Sequence, residues 1–300
     1  MSEAYDPSAY LTAASRNFRS SSRLRLQHQL WKSTTTTLLD TTITCGNRPG
    51  QPLNVADLGC GNGVWLIDLY DELSDHAGSF QAEGYDINAA NFPSPKFLPE
   101  SIRLNKLDVL SKQLPDDIIG TFDVVHIRDF SSFIINNDTK PVLSTVMALL
   151  KPGGWLQWEE MGADFVVETA LPRQWKCASE TMARLMKEEE DKRGMKLDFV
   201  REFREHFSDA GFNEIFVHDI SKLKQDYQGW SDNFLMIWEE AASFQPLTDD
   251  GTPGTTTRDF WEKEFMKAVD ETRDGVVLHR GYIRRAIGRK PLLRSSKSLS

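Results

Sequence analysis

The chain predicts an α/β fold in which a mostly parallel sheet is wound by helices, and three observations carry that expectation. The stretch Asn54 to Gly63 joins a short apolar strand (Leu53, Val55, Leu58) to a turn holding Gly59, Gly61 and Gly63. Val64, Ile67, Leu69 and Tyr70 then open a helix. Beyond it, Gln81 to Asp86 reads as a second strand that ends in an acid. Strand-like runs at Phe80–Tyr85, this same strand, and at Ile102–Leu107, Phe122–Ile127 and Trp155–Trp158 alternate with helical segments such as Thr139–Leu150, the pattern of right-handed crossovers.

The flanking elements follow in order. Leu24, His28, Trp31, Thr35 and Leu38 fall at helical spacing, so residues 22–39 are expected to form an amphipathic helix ahead of the first strand, able to cap a ligand pocket. Thr34 to Thr37 are poor helix formers and blur its end. A helix over Leu197–Ala210 stops at Gly211 and leads into a sixth strand, Glu214–His218. Residues 1–20, rich in Ser and Ala, and residues 295–300, rich in Ser, are expected to be flexible, leaving one domain over 21–294.

At 300 residues the chain is long for one domain but suits an α/β fold, which often runs to about 250 residues. The net charge of −9 argues against a nucleic-acid partner, since phosphate backbones are held by clustered Lys and Arg. The one basic cluster, with Arg284, Arg285, Arg289 and Lys290, is expected to decorate a terminal strand. Cys45, Cys60 and Cys177 lack metal-ligand spacing and are too few for a disulfide framework. No apolar run reaches the length of a membrane span and no secretory signal is visible, so a cytoplasmic location with no membrane partner is the default.

Glycine turns of this kind serve several nucleotide-like ligands. Here the pattern is GxGxG behind Asp57, which crowds the space of a pyrophosphate and suits an adenosine with a carboxylate-bearing tail, such as S-adenosylmethionine. The acid at Asp86 stands at the spacing where a carboxylate accepts from both ribose hydroxyls, although a simple turn-former would also fit there.

From these motifs the chain resembles class I methyltransferases over most of its length. Asp57-Leu-Gly-Cys-Gly61, Tyr85-Asp86, Leu107-Asp108-Val109, Phe122-Asp-Val-Val125 and Leu150-Lys-Pro-Gly-Gly154 are similar to five of their motifs in the right order. Three stretches, Ser22 to His28, Val125 to Arg128 and Gly154 to Glu160, resemble the fungal LaeA-like or UMTA-type methyltransferases of secondary metabolism. The resemblance implies a Rossmann-like, seven-stranded sheet whose last strand, expected at Gly281–Gly288, is antiparallel. Residues 219–278 then become a helical insertion. It also implies S-adenosylmethionine as cofactor, held by Asp57, Gly59, Cys60, Gly61, Asp86, Ile87, Asp108, Val109, Ile127 and Arg128. In that reading Asp108 and Val109 flank the adenine, whereas Asp57 and the carbonyls near Ile127 and Arg128 approach the methionine amine.

Methyl transfer from a sulfonium needs a base only when the acceptor carries a proton. His28 and His126 are the candidates; His126 can instead pack, and Glu159 and Glu160 compete for the role. His126-Ile-Arg-Asp129 replaces the Asn-Pro-Pro-Tyr type of sequence that grips amide and base nitrogens, which disfavours such acceptors. Asp129, Asp138 and Glu159 are single acids, and no metal is expected. The insertion carries Tyr227, Trp230, Phe234, Met236, Trp238, Phe244, Phe260, Trp261 and Phe265. Some of these pack on the sheet, while Tyr227, Trp230, Phe234 and Trp238 are candidates for the wall of a pocket taking an apolar, ring-containing small molecule. The expected function is methyl transfer to O, N or S of a largely apolar natural product. A LaeA-like regulator working through protein partners, and a cyclase that uses the cofactor without transferring methyl, are the rivals.

Overall fold

The computed structural model describes residues 17–44, 52–74, 80–111, 113–169, 176–248, 251 and 256–292. Its strands are β1 (Leu53–Leu58), β2 (Phe80–Asp86), β3 (Ile102–Lys106), β4 (Phe122–Arg128), β5 (Leu150–Met161), β6 (Val166–Glu168), β7 (Asn213–Ser221), β8 (Val277–His279) and β9 (Tyr282–Arg289). Seven of them form one sheet in the order β3-β2-β1-β4-β5-β9-β7. Strands β1 to β5 pair in parallel, and β9 lies antiparallel between β5 and β7. This is the seven-stranded, Rossmann-like arrangement expected from the sequence.

Both faces of the sheet are covered, so its central strands are nearly continuously apolar rather than alternating. On one face helix α3 (Val64–Ser74) sets Trp65, Leu66 and Leu69 against Val55, Val124 and Ile287. On the other, α4 (Lys140–Leu149) and α6 (Phe203–Asp209) bury Val142, Val146, Phe203 and Phe207 against Val125, Leu156 and Trp158.

The helix expected over 197–210 is broken: a 3-10 turn at Asp198–Val200 precedes α6. Phe199, Phe203 and Phe207 still share one stripe, and all three rings meet Trp158.

The N-terminal helix α1 runs over Phe18–Thr35, four residues earlier at each end than the apolar spacing suggested. Asn17 and Ser20 form a reciprocal capping box, which orders residues expected to be flexible. Thr36, at φ +62°, ends the helix inside the threonine run. A short α2 (Thr41–Thr44) follows. Residues 1–16 of the N-terminal stretch expected to be flexible, the whole 295–300 tail, residues 293–294 and Cys45 lie outside the described residues.

Three more helices pack on one another: α5 (Cys177–Lys192), α7 (Tyr227–Ala242) and α8 (Arg258–Arg273). The insertion over 219–278 supplies α7, α8 and β8; α5, before the sixth strand, was not foreseen. Strand β8 pairs with β6 in a small sheet of its own. Among the described residues no helix is long and apolar enough to cross a membrane.

Candidate active site

The glycine turn after β1 is held by its neighbour strand. Gly59 N and Cys60 N donate to the Tyr85 carbonyl at 2.8 and 3.1 Å, and Gly61 N donates to Asp86 Oδ2 at 3.0 Å. Gly59 and Gly61 adopt φ of +74° and +57°, a region costly to side chains. A Cβ on Gly61 would come within 3.2 Å of Leu24 on α1, and one on Gly59 within 2.9 Å of Phe130 after β4. The turn therefore has space for a ligand only because both positions are glycine, with α1 lying directly over it.

A cavity of about 340 Å³ opens beside this turn, within the usual ~300–1,000 Å³ range of ligand pockets. At one end its wall includes Gly59, Gly61, Asp86, Ile87, Asp108 and Val109, six of the ten residues expected to hold the cofactor; Arg128 also lines it. Asp86 Oδ1 further accepts from Asn88 N, and Asp108 Oδ1 from Leu110 N, so both carboxylates are fixed by the chain around them.

Three expected residues have their side chains outside the cavity wall, Ile127 having been expected to act through its carbonyl. Cys60 is buried with its sulfur under Gly84, and Ile127 is in the core. The Asp57 carboxylate is directed to His126 Nδ1 at 2.8 Å, not to the turn's own N–H groups.

Neither histidine lies in the cavity wall. His126 is buried, stacked on Trp65 at 3.6 Å between ring centres, with Nε2 at 3.5 Å from Glu159 Oε2. Glu159 in turn accepts from Arg285 Nε at 2.6 Å. Asp57, His126, Glu159 and Arg285 thus form a continuous row of polar side chains across β1, β4, β5 and β9. The register sets two of the links, because Asp57 is level with His126 and Glu159 with Arg285, while His126 reaches Glu159 diagonally from opposite Gln157. Glu160, pointing to the opposite face, accepts from Phe130 N and Trp158 Nε1. Burial, followed by the charge of Asp129, pushes its carboxyl well up.

His28 is likewise fully buried. Arg128 Nη2 donates to its Nδ1 at 2.9 Å, which fixes the proton on Nε2, and Nε2 donates to Asp68 Oδ2 at 3.1 Å. Both ring nitrogens are engaged, so the ring holds α1 to β4 and α3 and does not meet a substrate. Burial, then Arg128, lowers its pKa to about 4. The folded state therefore binds the His28 proton less readily than the unfolded state does. Its contribution to stability is complete above pH 6.5 and is lost as pH falls towards 4, roughly 3 kcal/mol at ~1.4 kcal/mol per pH unit. His28→Gln, which can accept from Arg128 and donate to Asp68, should flatten the fall in melting temperature between pH 6.5 and 4. An unchanged acid limb would assign it to other groups.

The far wall also departs from expectation. Trp230, Phe234 and Trp238 are buried in the packing of α7 against α1, the sheet and α8, and Tyr227 stacks on His279. The neighbouring stripe of the same helix, Ile237, Glu240 and Ala241 with Phe244 beyond it, faces the cavity. Helix α5 adds Met186, Glu189 and Glu190, and α1 adds Arg23 and Gln27. Asp129, directly after β4, lines the cavity at φ +52°, and its Oδ2 accepts from Gln27 Nε2 at 2.7 Å. Asp and Asn tolerate that left-handed backbone better than other side chains do.

Comparison with known proteins settles the family. The sequence profile of the family described as "Methyltransferase domain" matches residues 26–216. The chain belongs to this methyltransferase family. The methyltransferase is 28% identical over 245 residues to the "Methyltransferase grgD" of a Penicillium species, covering 76% of this chain and 80% of that protein. It is 30% identical over 150 residues to the "N-methyltransferase tcpN" of Claviceps purpurea, covering 50% of this chain and 51% of that one. Its fold is that of phosphoethanolamine N-methyltransferase 2 of Haemonchus contortus, solved with S-adenosyl-L-methionine. The TM-score is 0.55 at 15% identity, over 96% of this chain and 60% of that one.

The methyltransferase's cofactor is S-adenosylmethionine, and the residues present fit it. The turn is clear of side chains at Gly59 and Gly61, Asp86 faces the cavity from the end of β2, and Asp108 with Val109 stands at the end of β3.

Proposed function

We propose that this methyltransferase transfers a methyl group to an oxygen, nitrogen or sulfur atom of a small, largely apolar natural product in secondary-metabolite biosynthesis, in the cytoplasm. One observation carries the reading: the wall beside Asp86 and Asp108 continues without a break into a second half made by Phe133, Met186, Ile237, Ala241 and Phe244. An apolar substrate and the cofactor then share one water-poor space.

The cofactor supplies an activated methyl group on a sulfonium. Held beside Asp86 and Asp108, it would offer that methyl carbon to an acceptor's lone pair and keep the electrons of the sulfur–carbon bond. The chain's contribution is alignment and exclusion of water. Asp86 positions the ribose end and Asp108 the adenine end, while the apolar wall holds the acceptor. When the acceptor carries a proton, the groups in the wall able to take it are carboxylates, Asp129 nearest the end of β4, and not the two histidines.

The test is to incubate the protein with methyl-labelled cofactor and an extract of the cell that makes it. Label in a small apolar metabolite supports the proposal; label in protein alone, or in nothing, rejects it. Asp86→Ala should abolish the labelling and weaken cofactor binding by roughly 2–4 kcal/mol, the loss of two hydrogen bonds to a charged group.

A further inference from the structure

Among the described residues the cavity wall holds three arginines, and only one of them is left without a counter-charge. Arg23 Nε is bonded to Glu240 Oε1 at 3.2 Å, and Arg193 Nη2 lies 3.8 Å from Glu189 Oε2. Arg128, the last residue of β4, forms no ion pair among the described residues. The acids around it are committed elsewhere: Asp57 to His126, Glu159 to Arg285 and Asp129 to Gln27. They act on Arg128 only from beyond ion-pair distance, and burial pulls the pKa of its guanidinium down.

What Arg128 does bond to is neutral. Nη2 donates to His28 Nδ1 at 2.9 Å, and the guanidinium lies over the Trp31 ring at 5.4 Å. These two groups on α1 fix its direction without cancelling its charge. Nε and Nη1 make no hydrogen bond among the described residues, yet neither is sealed off, as the unpartnered Nε of Arg258 is. Arg128 is only half-buried, and it forms part of the cavity wall. A cation taken this far out of water and left unpaired is costly, and an anion in the cavity would remove that cost.

The sheet says what reaches it. In the strand order β3-β2-β1-β4, Asp108 just past β3, Asp86 at the end of β2, the glycine turn after β1 and Arg128 at the end of β4 follow one another along one edge. A cofactor with its adenine at Asp108 and its ribose at Asp86 extends its other end, which carries a carboxylate, past the turn towards Arg128.

We propose that the Arg128 side chain is the carboxylate receptor of this cavity, with the N–H groups not bonded to His28 as donors. The carboxylate is that of the cofactor's amino-acid tail, to which the row of strand ends points, or that of an acidic acceptor in the same space. The inference rests on the reading of this cavity as the shared seat of cofactor and acceptor.

The experiment measures Kd on the full chain for two pairs of probes that differ in a carboxylate. The first pair is S-adenosylhomocysteine and its decarboxylated analogue, S-adenosyl-3-thiopropylamine. The second is 2-naphthoate and 2-naphthamide, titrated into protein saturated with S-adenosylhomocysteine. The wild type should prefer the carboxylate roughly tenfold or more in the first pair, the value of a hydrogen bond to a charged group; a preference in the second pair alone assigns the receptor to the acceptor. Arg128→Met should abolish the preference while its affinity for the decarboxylated analogue stays within a few-fold of the wild type, which reports that the variant is folded. Arg128→Lys, which keeps the charge but loses the planar array of donors, should retain part of the preference.

No carboxylate preference in either pair, or one that survives intact in Arg128→Met, overturns the role of Arg128 and leaves the shared cavity standing. Failure of the wild type to bind S-adenosylhomocysteine or its analogue at all overturns the placement of the cofactor and this proposal with it.

Discussion

Trp230→Ala should destabilise the protein by about 3–5 kcal/mol in chemical denaturation while leaving cofactor affinity of the folded protein nearly unchanged. Trp230 is fully buried, its ring edge-on to Trp31 at 6.0 Å and beneath the Lys222 ammonium at 4.2 Å. Truncation opens a cavity between α1 and α7 and removes the aromatic face that offsets the burial of a charged lysine. Ile237→Ala, on the adjacent stripe of α7, gives the contrasting case. It lines the ligand cavity and should cost less stability, with the loss falling on acceptor binding. A Trp230→Ala protein of wild-type stability that no longer takes up an acceptor would restore Trp230 to the pocket wall.

An effect of similar size is expected further along the same face of the sheet, where Glu159 and Arg285 stand two residues from Met161 and Ile283. Burial alone would raise the Glu159 carboxyl, but Arg285 and His126 outweigh it and hold the group at about 2. Arg285→Met removes the cation from a carboxylate that is 1% exposed, and should cost about 3–5 kcal/mol. Arg285 also donates to the Thr37 carbonyl at 2.7 Å, so the chain leaving α1 should loosen as well. Adding Glu159→Gln should return part of the lost stability, because the stranded charge is then gone; denaturation of the two single variants and the double variant measures that coupling. If the double variant is as unstable as the sum of its parts, the penalty comes from packing and not from charge.

The sheet was legible in the sequence because its signals are local. Apolar strands that run into a glycine turn or an acid identify themselves without reference to the rest of the molecule, and Asp86, Asp108 and Val109 follow from their places at strand ends. The far wall was not legible, for a reason visible on α7. That helix carries two apolar stripes, one through Trp230, Phe234 and Trp238 and one through Ile237 and Ala241 that Phe244 extends just past its end. The stripe with the larger rings drew attention, yet large rings fill cores better than they line cavities. Which stripe faces which neighbour depends on α1 and α5, and no periodicity within residues 227–242 contains that information.

The histidines show the same limit. His28 sits at helical spacing with Trp31 and Leu24, a pattern equally consistent with a base on a lid or a ring in a core. Only the approach of Arg128, 100 residues away in sequence, decides between them.

The contacts of α1 also impose an order on assembly. Thr37, at its end, is bonded to Arg285, 248 residues later, and Trp31 rests on Trp230. At synthesis rates of ~5–20 residues per second, the helix emerges roughly 10–50 s before its last partner. Throughout that interval Leu30 and Trp31 have no finished surface to cover them, and the glycine turn, though its own strands are already made, lacks its roof. The first helix among the described residues is therefore among the last to dock. A nascent chain halted before β9 would expose this apolar face to chaperones or to other copies of itself.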